Sequence, residues 1–385
     1  MRILIVGAGL AGLTAAALLS RQGHRVAVLG RDKESNAVDA DYPITLWPHG
    51  SRVLNAMGVY EDFRHGSLAV NTCLLYGRKG KLLNLYDLAG LTDLYERPRV
   101  LSRSRLLRLL ENALCNVKIT TDISIKNHAQ VLDNIELELS DGTRDSADLL
   151  IIADGADPKV LDRFEIPYAQ RSTGWSRLSW SEKGRICAMG ESIEIWGAGC
   201  SLSACSYEDK TGLALYLPSE LLTDPETAGT AGLETLQNAI SEVLRESTLQ
   251  DNSLLKSFSS KQPIVHPLSD RRHPQWVQDR VVLLGDAAIS YLPGTEVGAS
   301  MALESAAVLA DELSRTNRHN VSNALNGYVR RRKSRCELVQ NQSRAIMAFK
   351  LARSPRYAKI RDTLIRFHDM QQLLGPKLRL LTQPI

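Results

Sequence analysis

Apolar residues cluster in runs of two kinds along this chain, and the kinds alternate. Arg2-Ile3-Leu4-Ile5-Val6 is a continuous apolar run, as a strand covered on both faces requires. From Leu10 the apolar positions Leu13, Ala16, Ala17 and Leu19 recur at helical spacing until Gly23 stops them. Arg25 to Leu29 then alternates into a second strand. A strand, a helix and a strand over this length predict a right-handed crossover with the strands as parallel neighbours. Two more buried-strand runs come later, at 148–152 and 280–284, and the second leads through a loop into a helix from about Ala299 to Arg315.

Between these runs the pattern predicts a short helix from Ser51 to Met57 with a stop at Gly58, and strands over 69–90 with turns at Gly77 and Gly80. It then predicts a helix from Leu101 to Leu114 and strands over 117–152 broken at Asp141-Gly142. Residues 172–265 read as strand-rich and carry Trp175, Trp180 and Trp196, with one helix from Ala231 to Glu246; the remainder reads as helical. The run at 280–284 has no strand neighbour nearby, so its partner must be the N-terminal sheet. The strand-rich stretch is therefore an insertion. No internal repeat or low-complexity linker interrupts this order.

Composition narrows the class. The 385 residues are 44% hydrophobic and 23% charged, which excludes wholesale disorder, collagen and a polytopic membrane protein. Forty-seven basic and 43 acidic residues leave a formal charge of +4, too mild to argue for nucleic acid. The six cysteines have no zinc-site or redox-dithiol spacing and form no disulfide framework, so a reducing, cytoplasmic setting is expected. Arg2 and the small apolar residues after it imitate an export signal. Glycines at fixed spacing interrupt that stretch, and a folded N-terminus is expected instead. No segment reaches the ~18 uncharged apolar residues of a membrane span.

Candidate chemistry starts at Gly7-Ala8-Gly9-Leu10-Ala11-Gly12, which follows the first strand and opens the first helix. The first glycine permits the tight turn, the second lets the backbone approach a pyrophosphate, and the third lets helix and strand pack closely. The helix N-terminus offers free amides to the phosphates. This pattern predicts dinucleotide binding. An acidic residue usually ends the second strand and holds a ribose, but here that position is Gly30, followed by Arg31 and Asp32. Either Asp32 binds the ribose after a register shift, or Gly30 leaves it to water and Arg31 contacts the adenosine side.

Two strand ends are acidic. The run at 148–152 leads into Asp154-Gly155, and the run at 280–284 leads into Gly285-Asp286 and on through Pro293, Gly298, Ala299 and Ser300 to a helix. Each alone is an ordinary turn. Beside a dinucleotide turn, at strand ends of an open parallel sheet, they suggest one long cofactor. Asp286 can accept hydrogen bonds from ribityl or ribose hydroxyls, and the Gly298 turn supplies a second helix N-terminus.

In these three motifs the chain resembles the group A (single-component) FAD-dependent aromatic hydroxylases, the p-hydroxybenzoate hydroxylase-like flavoprotein monooxygenases. Supporting stretches are Ile44–Gly50, Leu101–Leu106 and Tyr328–Arg344. The resemblance covers about residues 1–165 and 268–345. It implies an α/β fold, with a Rossmann-like FAD-binding domain (GR2-type), an inserted strand-rich substrate domain and a helical C-terminus. The FAD-binding domain would be discontinuous, over 1–72, 97–170 and 268–345. The β-rich substrate domain would take 73–96 and 171–267, and a C-terminal helical segment 346–385. Arg103 would contact the FAD phosphates, Asp286 the pyrophosphate–ribityl region, and the Pro293 loop with the Gly298–Ser300 amides the isoalloxazine ring. The chain departs from the family at Gly30, at Pro158 and Leu161 after Asp154-Gly155, at Ile289, at Ser300 and at Ser305. The Asp-Gly divergence bears on the reductant more than on the flavin.

The implied activity is insertion of one oxygen atom from O2, via a flavin C4a-hydroperoxide, into an aromatic or polycyclic small molecule, with NAD(P)H as electron donor. FAD supplies that chemistry, and the protein supplies binding, orientation and exclusion of water. No catalytic side chain is nominated. Trp175, Trp180, Trp196, Tyr207 and Tyr216 are candidate lining residues of an apolar cavity, and His49 and His266 could assist a substrate proton. The alternatives are a flavin oxidoreductase that does not activate O2 and a non-catalytic FAD-binding protein. Residues 330–366 carry twelve Lys or Arg against Glu337 and Asp362. They form either a solvated helical face or a docking patch for an acidic carrier protein or membrane surface.

Overall fold

A computed structural model describes residues 1–30, 42–77, 80–88, 97–155, 158–185, 187–222 and 263–368. The helix expected over 231–246 lies outside the described residues, as does Arg31. The strand Arg2–Val6 pairs in parallel with Arg25–Leu29 on one side and Leu149–Ile152 on the other. Leu149–Ile152 in turn pairs in parallel with Val281–Leu283. The late run thus returns to the N-terminal sheet, because its buried backbone amides and carbonyls have no other ladder to join. Lys118–Thr120 closes the far edge of this six-stranded sheet in parallel, and Val277–Gln278 adds a short antiparallel edge. The helix Leu10–Arg21 packs Leu13, Ala15, Ala16, Ala17 and Leu19 inward, all at 0% exposure, an unbroken apolar seal.

A second sheet of seven strands runs in the order Ile264–Arg272, Ala169–Lys183, Lys210–Pro218, Ser201–Tyr207, Glu191–Trp196, Thr72–Gly77 and Leu82–Asp87. The expected boundaries at 170/171 and 267/268 fall inside the first two of these strands. Ladder bonds make each strand one unit, so both belong whole to this sheet. The boundary at 345/346 likewise falls within the 30-residue helix Val321–Lys350.

One local expectation is corrected. Leu101 and Ser102 end a strand, Arg99–Ser102, instead of beginning a helix. The helix runs Arg103–Asn112, because the Ser102 hydroxyl accepts from the Arg105 amide and so marks the N-cap. The strand partner of Arg99–Ser102, Pro43–Leu46, was not foreseen: it is only four residues long, too short to show its period.

The Val321–Lys350 helix buttresses the segment that follows Val281–Leu283. The Tyr328 hydroxyl donates to the Leu283 carbonyl (3.2 Å), the Gln340 amide to those of Arg271 and Ser290 (2.8 and 2.7 Å), and the Ser343 hydroxyl to that of Leu292. Its Arg332 pairs with Glu304 of the Gly298–Ser314 helix at 2.8 Å, both fully buried.

Candidate active site

The strand ends of the first sheet open into a groove of about 530 Å³. Gly7, Ala8, Gly9, Leu10 and Ala11 form one wall, and Asp154 and Gly155 another. Arg103, Asp286, Pro293, Gly298 and Ala299 complete it. Segments more than 250 residues apart thus meet in one place, because the parallel crossovers bring successive strand ends to the same edge.

Three expected site residues stand behind the wall. At Gly12 a Cβ would lie 1.9 Å from the Gly7 carbonyl oxygen, so this glycine serves the close approach of helix and turn. Gly285, at φ +64°, faces the Ala11 methyl. Ser300 is fully buried, and its hydroxyl accepts from the Trp47 amide at 2.9 Å, tying the 43–50 segment to the Gly298–Ser314 helix. At Gly7 itself φ is +112° and a Cβ would sit 2.3 Å from the Ala153 carbonyl oxygen, so no other residue fits.

The donor set of the groove matches the parts of FAD. Two helices of 12 and 17 residues begin there with no side-chain cap and no acidic residue in the first turn, which leaves their N-terminal amides for an anion. Among the described residues no atom beyond its chain neighbours lies within 4 Å of the place a Cβ would take at Gly9, so this backbone is open to the groove. Arg103 has no ion-pair partner among the described residues. Asp286 opens on the groove, yet the surrounding protein desolvates its carboxyl, and with no cation beside it among the described residues this raises it to about 6. An unpaired cation, an unpaired carboxyl and two uncapped helix starts suit a diphosphate and a polyol arm. The residues fit the cofactor. At Gly30 a Cβ would meet the Ala8 methyl at 3.2 Å, so a larger side chain there would press on the phosphate turn.

The groove opens into a chamber of about 510 Å³, and both are lined by Pro43, Thr45, Arg177, Glu296 and Val297. Its walls are mostly apolar, with Leu75, Tyr86, Trp196, Leu213 and Phe349. Among the candidate aromatics Trp196 lines the chamber and Tyr216 the groove. Trp180 and Tyr207 are core residues, and Trp175 packs under the Arg353 guanidinium at 5.2 Å. Cys73 and Cys205 also line the chamber, and burial pushes the Cys73 thiol up to about 12 and Cys205 well above its usual value. Both are neutral thiols near pH 7, not nucleophiles. Glu194 is held by the Trp196 indole and the buried Lys350 ammonium (3.1 Å). Neither candidate histidine lines the chamber: His49 is buried beside Glu304, and His266 pairs across the sheet with Arg177, where burial and that guanidinium lower its pKa.

Two residues at the junction were not singled out from the sequence. Glu296 takes a left-handed conformation (φ 51°), unusual for a non-glycine residue, which turns its carboxylate between groove and chamber. Arg177 has its Nε buried without a partner and lies 5.7 Å from the Tyr42 ring centroid. Its only signal was its place within a long strand, since no motif surrounds it.

Comparison with known proteins agrees with this geometry. Residues 1–343 match the family described as "FAD binding domain". The chain is 30% identical over 355 residues to 3-hydroxybenzoate 6-hydroxylase 1 of Aquipseudomonas alcaligenes, covering 89% of this chain and 87% of that one. It is 27% identical over 373 residues to 2-heptyl-3-hydroxy-4(1H)-quinolone synthase of Pseudomonas aeruginosa, covering 95% and 94%. Among solved structures it superposes on HpxO of Klebsiella pneumoniae, complexed with FAD and uric acid, with TM-score 0.84 at 20% identity over 100% and 97% of the two chains. A match over most of the chain, a hydroxylase relative at 30% identity and a groove built for FAD lead to one assignment: the chain belongs to the FAD-dependent aromatic hydroxylase (group A flavoprotein monooxygenase) family.

Proposed function

We propose that this enzyme inserts one atom of O2 into an aromatic or polycyclic small molecule held in the 510 Å³ chamber, with NAD(P)H as the electron donor. The observation that carries this reading is the shared wall. Thr45, Arg177, Glu296 and Val297 border groove and chamber alike, so a ring in the chamber lies against whatever part of the cofactor reaches the groove's end. The volume is in the ~300–1,000 Å³ range of small-molecule sites. FAD, when bound and reduced, supplies the oxygen activation.

The remaining work falls to side chains of this chain. Arg103 and the Gly7–Ala11 amides hold the diphosphate, Asp154, Gly155 and Asp286 the polyol and ribose hydroxyls, and Pro293, Gly298 and Ala299 the ring edge. Gly12, Gly285 and Ser300 keep that wall in place. The apolar chamber walls exclude water, which protects a reactive oxygen species from wasteful decay. Arg177 faces the junction as a cation and stabilises an acidic hydroxyl or carboxylate on the substrate. The relatives named above support a flat, oxygen-bearing ring: a hydroxybenzoate, a hydroxyquinolone and, in HpxO, uric acid. None of the six cysteines forms a disulfide, which fits a cytoplasmic setting.

The test is NAD(P)H oxidation by the FAD-loaded protein under isotopically labelled O2 with a panel of hydroxylated aromatics. One labelled oxygen atom in the product is expected. Substrate turnover without label would replace oxygen insertion with plain dehydrogenation or reduction.

A further inference from the structure

The twelve basic residues of 330–366 are mostly not a solvated face. Arg331 pairs with Asp311 and Glu312, Arg332 and Arg335 with Glu304, Arg344 with Asp270, Lys350 with Glu194 and Arg353 with Glu220. Lys333 donates to the Pro274 carbonyl. Arg361 is fully buried, donating to the carbonyls of Trp196 (3.0 Å) and Gly197 (3.1 Å). Four basic residues are left with neither an ion pair nor a side-chain hydrogen bond among the described residues: Arg330, Arg356, Lys359 and Arg366. Three of these four sit on one helix, Pro355–Phe367.

That helix has three faces. Ala358, Arg361 and Ile365 are buried. Tyr357, Ile360, Leu364 and Phe367, spaced at three to four residues, form an apolar stripe that is exposed, with Ile360 at 58% and Phe367 at 77%. Arg356, Lys359 and Arg366 occupy the arc beside the stripe. Four large exposed apolar side chains in a row make a contiguous patch, and a basic arc flanking an apolar stripe matches an anionic surface with an apolar interior. The inner face points to the same use. Ile365 packs in one cluster with Leu75, Tyr86, Trp196 and Phe349, and all four line the substrate chamber.

We propose that the Pro355–Phe367 helix docks this enzyme on an anionic lipid bilayer, with Ile360, Leu364 and Phe367 in the headgroup–acyl boundary and Arg356, Lys359 and Arg366 on the lipid headgroups. The helix would lie in the membrane plane; no helix among the described residues is long and apolar enough to cross. Docking places the chamber wall directly behind the bilayer surface, so an apolar substrate dissolved in lipid would have a short path to the site. The inference does not depend on the reaction assigned above.

The test is co-sedimentation of the full-length FAD-loaded protein with vesicles of phosphatidylcholine alone and of phosphatidylcholine mixed with phosphatidylglycerol. Pelleting with the mixed vesicles only, weakened by salt, is expected. Exchanging Arg356, Lys359 and Arg366 together for Gln should weaken binding about 100-fold, since each cation near an anionic surface contributes roughly tenfold or less. The double variant Ile360→Ser and Phe367→Ser should weaken it at least about tenfold. All five positions are solvent-facing, so FAD content and melting temperature should not move, and a variant that loses either is replaced by Phe367→Ser alone. No pelleting of the wild type on mixed vesicles overturns the proposal, and so does pelleting that all variants retain. A wild-type dimer that Ile360→Ser with Phe367→Ser turns into a monomer would also overturn it, by assigning the stripe to a second copy.

Discussion

The Thr45 hydroxyl donates to the Glu296 carboxylate at 2.6 Å, joining positions 251 residues apart at the line where groove meets chamber. Thr45 comes from an early edge strand and Glu296 from the loop that leads into the Gly298–Ser314 helix, so this bond sets the height of that loop over the groove. Replacing Thr45 by Val keeps the shape and deletes the donor. The bond is exposed, so about 1 kcal/mol or less of stability should be lost. The expected signature is functional: FAD affinity within about threefold of wild type, with a larger share of NAD(P)H oxidation ending in peroxide. Unchanged coupling of NAD(P)H to product would remove Glu296 from the aperture's function.

Asp286 gives a pH prediction for the protein stripped of FAD. Its folded carboxyl titrates at about 6 against an ordinary 3.8, so the folded state holds the proton more tightly than the unfolded chain. The associated stabilisation is full below pH ~3.8 and is lost as pH rises through ~6. Asp286→Asn cannot ionise. The apo variant should therefore melt higher than apo wild type at pH 8, and the two should converge near pH 4. In the same variant FAD should bind at least about tenfold more weakly, since one acceptor of hydroxyl hydrogen bonds is lost. An apo melting difference that does not vary between pH 4 and 8 would show that Asp286 is not buried as a lone carboxyl.

Arg103 stands at the first turn of its helix with a side chain directed to the groove. Arg103→Ala should raise the FAD dissociation constant about 10- to 100-fold, the value of one charge-assisted hydrogen bond of ~1.5–3 kcal/mol. The apo melting temperature should hardly change, because no ion pair among the described residues is broken. Equal FAD affinity in fluorescence titration would take Arg103 out of the phosphate site.

The pair Arg332–Glu304 is a structural device. Both side chains have 0% exposure, and Glu304 is held below its usual carboxyl range by Arg332, His49 and Arg335 despite the opposing effect of burial. Glu304→Gln leaves two guanidinium groups without their counter-charge and should cost about 3–5 kcal/mol in urea unfolding. A change under about 1 kcal/mol would mean that water reaches the pair.

His273 is fully buried, and burial lowers it to about 4, with the Arg271 charge adding to that effect and its bond to the Pro167 carbonyl opposing it. A histidine held neutral in the folded state loses its share of stability as pH falls from ~6.5 toward 4. His273→Phe should flatten the decline of melting temperature over that window. An unchanged acid profile would exclude this side chain as its cause.

Much of the groove was legible because its chemistry is backbone chemistry. Gly7 and Gly12 are the only residue type their positions admit, and a strand–turn–helix written in apolar periodicity places them without knowledge of the rest. Asp154 and Asp286 were legible for a related reason: each follows an unbroken apolar run, and strand ends of a parallel sheet share one edge. Those features are local, so the chain order of residue types determined them. Glu296 and Thr45 lay within stretches that the sequence marked, the Pro293 loop and Ile44–Gly50, but nothing singled out these two side chains, and Arg177 sits in a strand with no motif around it. Only the pairing of Ala169–Lys183 with Lys210–Pro218, and of Pro43–Leu46 with Arg99–Ser102, brings them to one aperture. The basic C-terminal stretch makes the same point with charge. Twelve cations in sequence look like one face, but ion pairs reach only a few ångströms, and tertiary packing decided that most are bonded to other parts of the fold while three lie exposed on the last helix.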